Sequence, residues 1–222
     1  MAAIALLLAD ARFPSGGHAH SGGVEEACDR ELISDTSGLR SYLRGRLLST
    51  GTVTAQIAAF VCTRIHAGAD LGWLWPAVEA ACDARLASPA ARALSRQQGG
   101  QLARSAASVF DAGYLRSLRD PHHPVAIGAV SAAAGLEPRA AAETAAYGSL
   151  AGGASAALRL LGLDPAGTAR VVAELAPLVD GIAGRAALAG RGPLVRLDST
   201  SAPVSDFLAE AHFERKERLF AS

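Results

Sequence analysis

Twice along this chain a capping residue stands directly before a proline, at Ser88-Pro89 and Asp164-Pro165, and a third proline, Pro138, follows the helix stop Gly135-Leu136. Proline suits the first turn of a helix because its missing N–H has no intrahelical partner there, so each site reads as a helix start. Between these marks apolar residues recur at helical spacing, as in Leu39, Leu43 and Leu47, and no useful stretch alternates as a strand would. The pattern predicts an all-α fold: a single-domain bundle of roughly eight to ten helices.

The expected elements follow from the same signals. A short helix lies within 22–32, and Ser34 or Asp35 caps a long one that runs to Gly68, with a kink at Gly51. Further helices are expected over 73–86, 89–110, 125–134 and 139–161, the last ended by Gly162. The stretch Asp120-Pro121-His122-His123-Pro124 reads as a loop, and Pro177 is expected to split 168–189 into two helices. The bundle is assigned to 1–189, a Gly-, Pro- and Ser-rich mobile connection to 190–206, and a charged tail with three phenylalanines to 207–222. That tail either docks on its own bundle or offers Phe207, Phe213, Leu219 and Phe220 to a partner.

Composition narrows the function. Lys plus Arg and Asp plus Glu each number 21 in 222 residues, so the chain lacks the basic excess of a nucleic-acid binder. No apolar run is long enough to span a bilayer, and Met1 to Ala9, without a basic leader, reads as a core segment. The residues are 50% hydrophobic but only 5% aromatic, which suits closely packed helices rich in alanine and a chain that self-associates. Cys28, Cys62 and Cys82 are too widely spaced for a zinc site and odd in number, as in a reducing, cytoplasmic setting.

The segment from Asp10 to Glu26 gathers four glycines, a proline, His18, His20, Ser15 and Ser21. One reading is an active-site loop with His18 or His20 as acid or base; a weak or transient metal contact by the histidines is another. Neither His18 and His20 nor His122 and His123 have helical ligand spacing, no P-loop occurs, and no Gly-x-Ser-x-Gly elbow supports a serine nucleophile. Gly152-Gly153 reads as a site of close helix packing. The residues themselves therefore favour loop histidines satisfied by local hydrogen bonds over bond making, with no catalytic residue, cofactor or metal ligand assigned.

Leu8-Ala9-Asp10, Pro14-Ser15-Gly16-Gly17, His20-Ser21-Gly22-Gly23 and Glu25 resemble the N-terminal signature of the urease accessory protein F family (UreF). His123-Pro124-Val125 with Gly128 resembles that family's mid-chain segment, and Arg218-Leu219-Phe220-Ala221-Ser222 is similar to its closing Arg-Leu-Phe-x-Ser. Where the family often carries glutamines after its long helix, this chain has Leu161-Gly162-Leu163-Asp164-Pro165. The resemblance implies a non-enzymatic chaperone of urease maturation, all-α and homodimeric. It implies binding to the accessory protein D or H, recruitment of the nickel-carrying GTPase G, and delivery of nickel to apo-urease through that complex. It further implies a C-terminal tail that orders when the D/H protein binds, with Arg218 contributing to recruitment of the GTPase. The partner-binding residues expected on this basis are Pro14, Ser15, Gly16, Gly17, His20, Ser21, Phe207, Phe213, Arg218, Leu219, Phe220 and Ser222.

Overall fold

The computed structural model of the chain describes residues 2–10, 13–14, 20–200, 202–215 and 219–220. Among them, helices account for all regular structure: α1 (Ala2–Ala9), α2 (Val24–Asp29), α3 (Thr36–Arg46), α4 (Thr52–His66), α5 (Leu71–Asp83), α6 (Pro89–Ala107), α7 (His123–Ala133), α8 (Pro138–Leu161), α9 (Pro165–Ala189) and α10 (Pro203–Phe213). The expected all-α bundle is what the chain forms. No described helix is long and apolar enough to cross a membrane.

The centre is α4, on which every residue from Ala55 to Cys62 is buried, and α7, α8 and α9 pack around it. One apolar cluster joins α2, α3, α8 and α9 and takes in Leu208 and Phe220 from the C-terminal region. The other joins α4, α5, α6 and α7 and takes in Phe13. Small residues set the spacing: a Cβ on Gly128 of α7 would lie 2.5 Å from the Ala58 carbonyl oxygen of α4. Of the glycine pair in α8, Gly153 faces Leu43 at 2.7 Å from such a Cβ, while Gly152 meets nothing.

The caps stand where the sequence puts them. Asp35, Ser88 and Asp164 each accept a hydrogen bond from a first-turn N–H, at 2.7, 2.9 and 2.8 Å, and Gly162 ends α8 in the left-handed conformation. At Gly51 the expected kink is a single π turn, Leu47–Gly51, linking α3 to α4.

Three expectations are corrected. Pro177 does not split α9: it lies on the helix's exposed face, with exposed Ala173 one turn before it. The buried face formed by Val171, Leu175, Val179, Ile182 and Ala186 carries the helix through, offsetting a proline cost of about 3 kcal/mol. Helix α1 is not a core segment: Leu6 is 72% and Leu7 41% exposed, and Leu8 alone of the three joins a core cluster. His123 and Pro124 are not loop but the first turn of α7.

Within the stretch 190–206, expected as a mobile connection, Leu194, Leu197 and Asp198 are tied to the bundle. Gln56 exchanges two hydrogen bonds of 2.7 Å with Asp198, and Arg85 donates to the carbonyls of Leu194, Leu197 and Asp198. Helix α10 begins within that stretch, at Pro203.

Candidate functional site

Tyr42 and Arg46 are one turn apart on α3 and both donate to the carbonyl of Gly22, at 3.2 and 2.7 Å. Gly22 and Gly23 have φ of +64° and +84°, and a Cβ at Gly22 would run into the Arg46 guanidinium. The turn therefore favours glycine for its left-handed backbone, and a side chain at Gly22 would displace the Arg46 tip from its hydrogen bond. Buried Ser21 then accepts from the Glu25 N–H at 3.2 Å, which closes the first turn of α2.

That turn delivers Glu25 to the C-terminal segment. Its carboxylate is buried and accepts from two successive backbone amides, Leu219 N–H at 2.8 Å on one oxygen and Phe220 N–H at 3.0 Å on the other. His212 of α10 sits between them, its Nε2 3.3 Å from the Phe220 carbonyl and 3.7 Å from Glu25. The Phe220 ring, 6% exposed, lies under the Arg159 guanidinium at 4.3 Å from its centroid. A second contact joins the same parts: Glu26 pairs with Arg30 at 2.7 Å and with Arg215 at 3.3 Å, and Arg215 also meets Asp29.

The mid-chain segment reaches the same end of the molecule from inside. A cavity of about 400 Å³ is lined by His20, Gly22, Arg46, His123, Arg159 and His212, among others, so it touches all three matched segments or their immediate contacts. Burial pushes the His123 imidazole down to about 4, helped by His20 and the Arg46 cation, so it is neutral. Its neighbour His122 ties three helices together. The His122 ring contacts Ser95 of α6 at 3.0 Å and Asp83 of α5 at 2.9 Å, and its backbone N–H donates to Glu79. Burial lowers the His122 pKa and raises that of Glu79. Burial also works to raise Asp83, but the hydrogen bond from His122 and the nearby Arg96 outweigh it, leaving Asp83 below its ordinary value. This is a structural knot: Ser95 also accepts the His123 N–H at 3.1 Å, so the open amides at the start of α7 are satisfied by α5 and α6.

The expected partner-binding residues divide. Phe207, Phe213 and Leu219 are exposed, Phe207 with Arg30 over its ring, and Pro14 is exposed with its carbonyl accepting from Ser105. His20, Ser21 and Phe220 are interior. Ser15, Gly16, Gly17, His18, Arg218 and Ser222 lie outside the described residues. Sequence reasoning missed Glu25 as a contact residue, with Arg159, His212 and Arg215; only Glu25 carried a signal, as the acid of the opening segment.

Among the described residues no group of three His, Cys, Asp or Glu side chains is placed to hold a metal ion. Cys62 and Cys82 are buried and Cys28 half-buried, and burial pushes the Cys28 and Cys62 thiols up to about 11 and about 12, away from the reactive thiolate.

The UreF family model matches residues 33–176, a range that holds the His123-Pro124 segment. Relatives described as urease accessory protein UreF extend the likeness over both ends. The protein of Mycobacterium sp. (strain JLS) is 45% identical over 218 residues, 98% of this chain and 97% of its own. That of Mycolicibacterium vanbaalenii is 43% identical with the same coverage, and that of Mycobacterium tuberculosis (strain ATCC 25177 / H37Ra) is 40% identical over 99% and 98%. With most of the chain matched by the family model and nearly its whole length by such relatives, the chain belongs to the urease accessory protein UreF family.

Proposed function

We propose that this chain is a non-enzymatic chaperone of urease maturation that binds the D/H accessory protein and, with it, recruits the nickel-carrying GTPase G, so that nickel passes as cargo to apo-urease. It works in the cytoplasm as a homodimer. The observation that carries this reading is the meeting of the opening and terminal segments at Glu25, which sets two separate sequence signatures side by side. Phe207, Phe213 and Leu219 stand exposed around that junction and supply the apolar anchors a partner needs. A terminus already docked pays less ordering entropy on binding than a free tail does. Arg218, next to Leu219 in the chain, is the residue proposed to meet the GTPase.

Coexpression with the cognate D/H protein and GTPase tests this. Truncation after Glu217 is expected to abolish GTPase recruitment and urease activation, and Arg218→Ala to weaken both; unchanged recruitment by the truncated chain refutes the tail's role.

A catalytic reading rests on the cavity shared by His20 and His123. It gains nothing from His123, whose imidazole, held near 4 by burial, is a poor base at neutral pH. A His20→Ala chain that captures the D/H protein and the GTPase as the wild type does, yet activates no urease, is the result that would favour it.

A further inference from the structure

The contact between Glu25 and residues 219–220 has a form that side-chain pairing alone would not produce. Two oxygens of one carboxylate receive the amides of two successive residues 194 and 195 positions away, and the Phe220 carbonyl faces His212. Both backbone polar groups of Phe220 are thereby met, and its ring is held under Arg159. A pair of amides on one carboxylate fixes both the register and the direction of the segment, which a single hydrogen bond cannot do. The side chains separate accordingly: Phe220 turns inward while Leu219 remains 81% exposed. Glu25 itself is 3% exposed, so losing the two amides would leave a buried carboxylate short of donors.

We infer that Glu25 is the positioning residue of the terminal segment: it clamps residues 219 and 220 by their amides, so that Phe220 serves as the internal anchor and Leu219, beside the glycine turn, is presented to the partner. This rests on the function proposed above for the terminus. Arg215, bound to Glu26 and Asp29, holds the chain on the same helix just before the clamp.

Amide hydrogen exchange on the full chain without partners tests the clamp. Glu25→Gln is expected to speed exchange at Leu219 and Phe220 by about tenfold or more, the order of one charge-assisted hydrogen bond, with α4 and α8 unchanged. Leu219→Pro is the second variant: it removes one donor at an exposed position and leaves α2 intact, and it is expected to release the Phe220 amide likewise. Unchanged exchange at Phe220 in both variants overturns the clamp. GTPase capture in the presence of the D/H protein is then measured for Glu25→Gln beside the chain truncated after Glu217. If truncation abolishes capture, Glu25→Gln is expected to reduce it severalfold while D/H binding persists; wild-type capture with freely exchanging amides overturns the positioning role. If the truncated chain captures the GTPase normally, the proposed function of the terminus fails, and the exchange data still decide the clamp.

Discussion

Replacing Gly128 by alanine puts a single methyl group into the closest approach between α7 and α4. The new Cβ would stand 2.5 Å from the Ala58 carbonyl oxygen and 2.7 Å from the Val61 Cβ, whereas ordinary contact begins at 3.4 Å. The two helices would have to part by about 0.7–0.9 Å, or one would have to rotate, and neither neighbour is the free end of a flexible side chain. Overpacking of this kind costs about 1–3 kcal/mol, against about 1 kcal/mol gained when alanine replaces glycine in a helix. The net effect is destabilising, by up to about 2 kcal/mol, which for a chain of this size lowers Tm by up to roughly 8 °C. Gly184 in α9 is the control: a Cβ there meets nothing within 4 Å, so Gly184→Ala gains the helix propensity alone and raises Tm by a few degrees. Urea denaturation of both variants beside the wild type reads the two signs. A Gly128→Ala protein as stable as the wild type would refute the close-packing account of this glycine.

Other perturbations report on separate parts of the molecule. His123, neutral in the fold with a value of about 4 against about 6.5 unfolded, contributes stability that is whole above pH 6.5 and is lost as pH falls toward 4. Between pH 7.5 and 5 that loss is about 2 kcal/mol, and His123→Gln, measured by urea titration at both values, should shed that part of the pH dependence. A variant with the wild-type slope would show that His123 is not the group responsible. Arg85→Ala removes the donor shared by three carbonyls of the connection and is expected to cost about 1–3 kcal/mol and to open residues 194–198 to limited proteolysis. Pro177→Ala restores a backbone donor on an exposed helix face and should raise stability by about 1–2 kcal/mol; a drop would mean that the ring makes a contact worth more than the missing bond.

What could be read from the sequence was what local chemistry decides. Asp35, Ser88 and Asp164 mark helix starts because a cap needs only its own side chain and an amide two or three residues on. Gly162 marks a stop for the same reason. Pro177 misleads because the local rule was sound but the exposed face of α9 and the burial of its other face override it. Helix α1 misleads in the opposite way, since hydropathy alone cannot say that only one of Leu6, Leu7 and Leu8 finds a core cluster.

The candidate site was half legible, and the division has a physical basis. The glycine turn is visible because its two successive positive φ values favour glycine, so its residues are constrained in kind. What the turn holds is different. A backbone amide exists at every residue except proline, so a clamp that grips amides puts no demand on the side chains of Leu219 and its neighbours beyond excluding proline. Only the acceptor end, Glu25, is obliged to be a particular residue. The terminal segment is thus free to spend its side chains elsewhere, Phe220 on Arg159 and Leu219 on the surface, and the Leu219→Pro substitution is the one change at that exposed position that the clamp itself forbids.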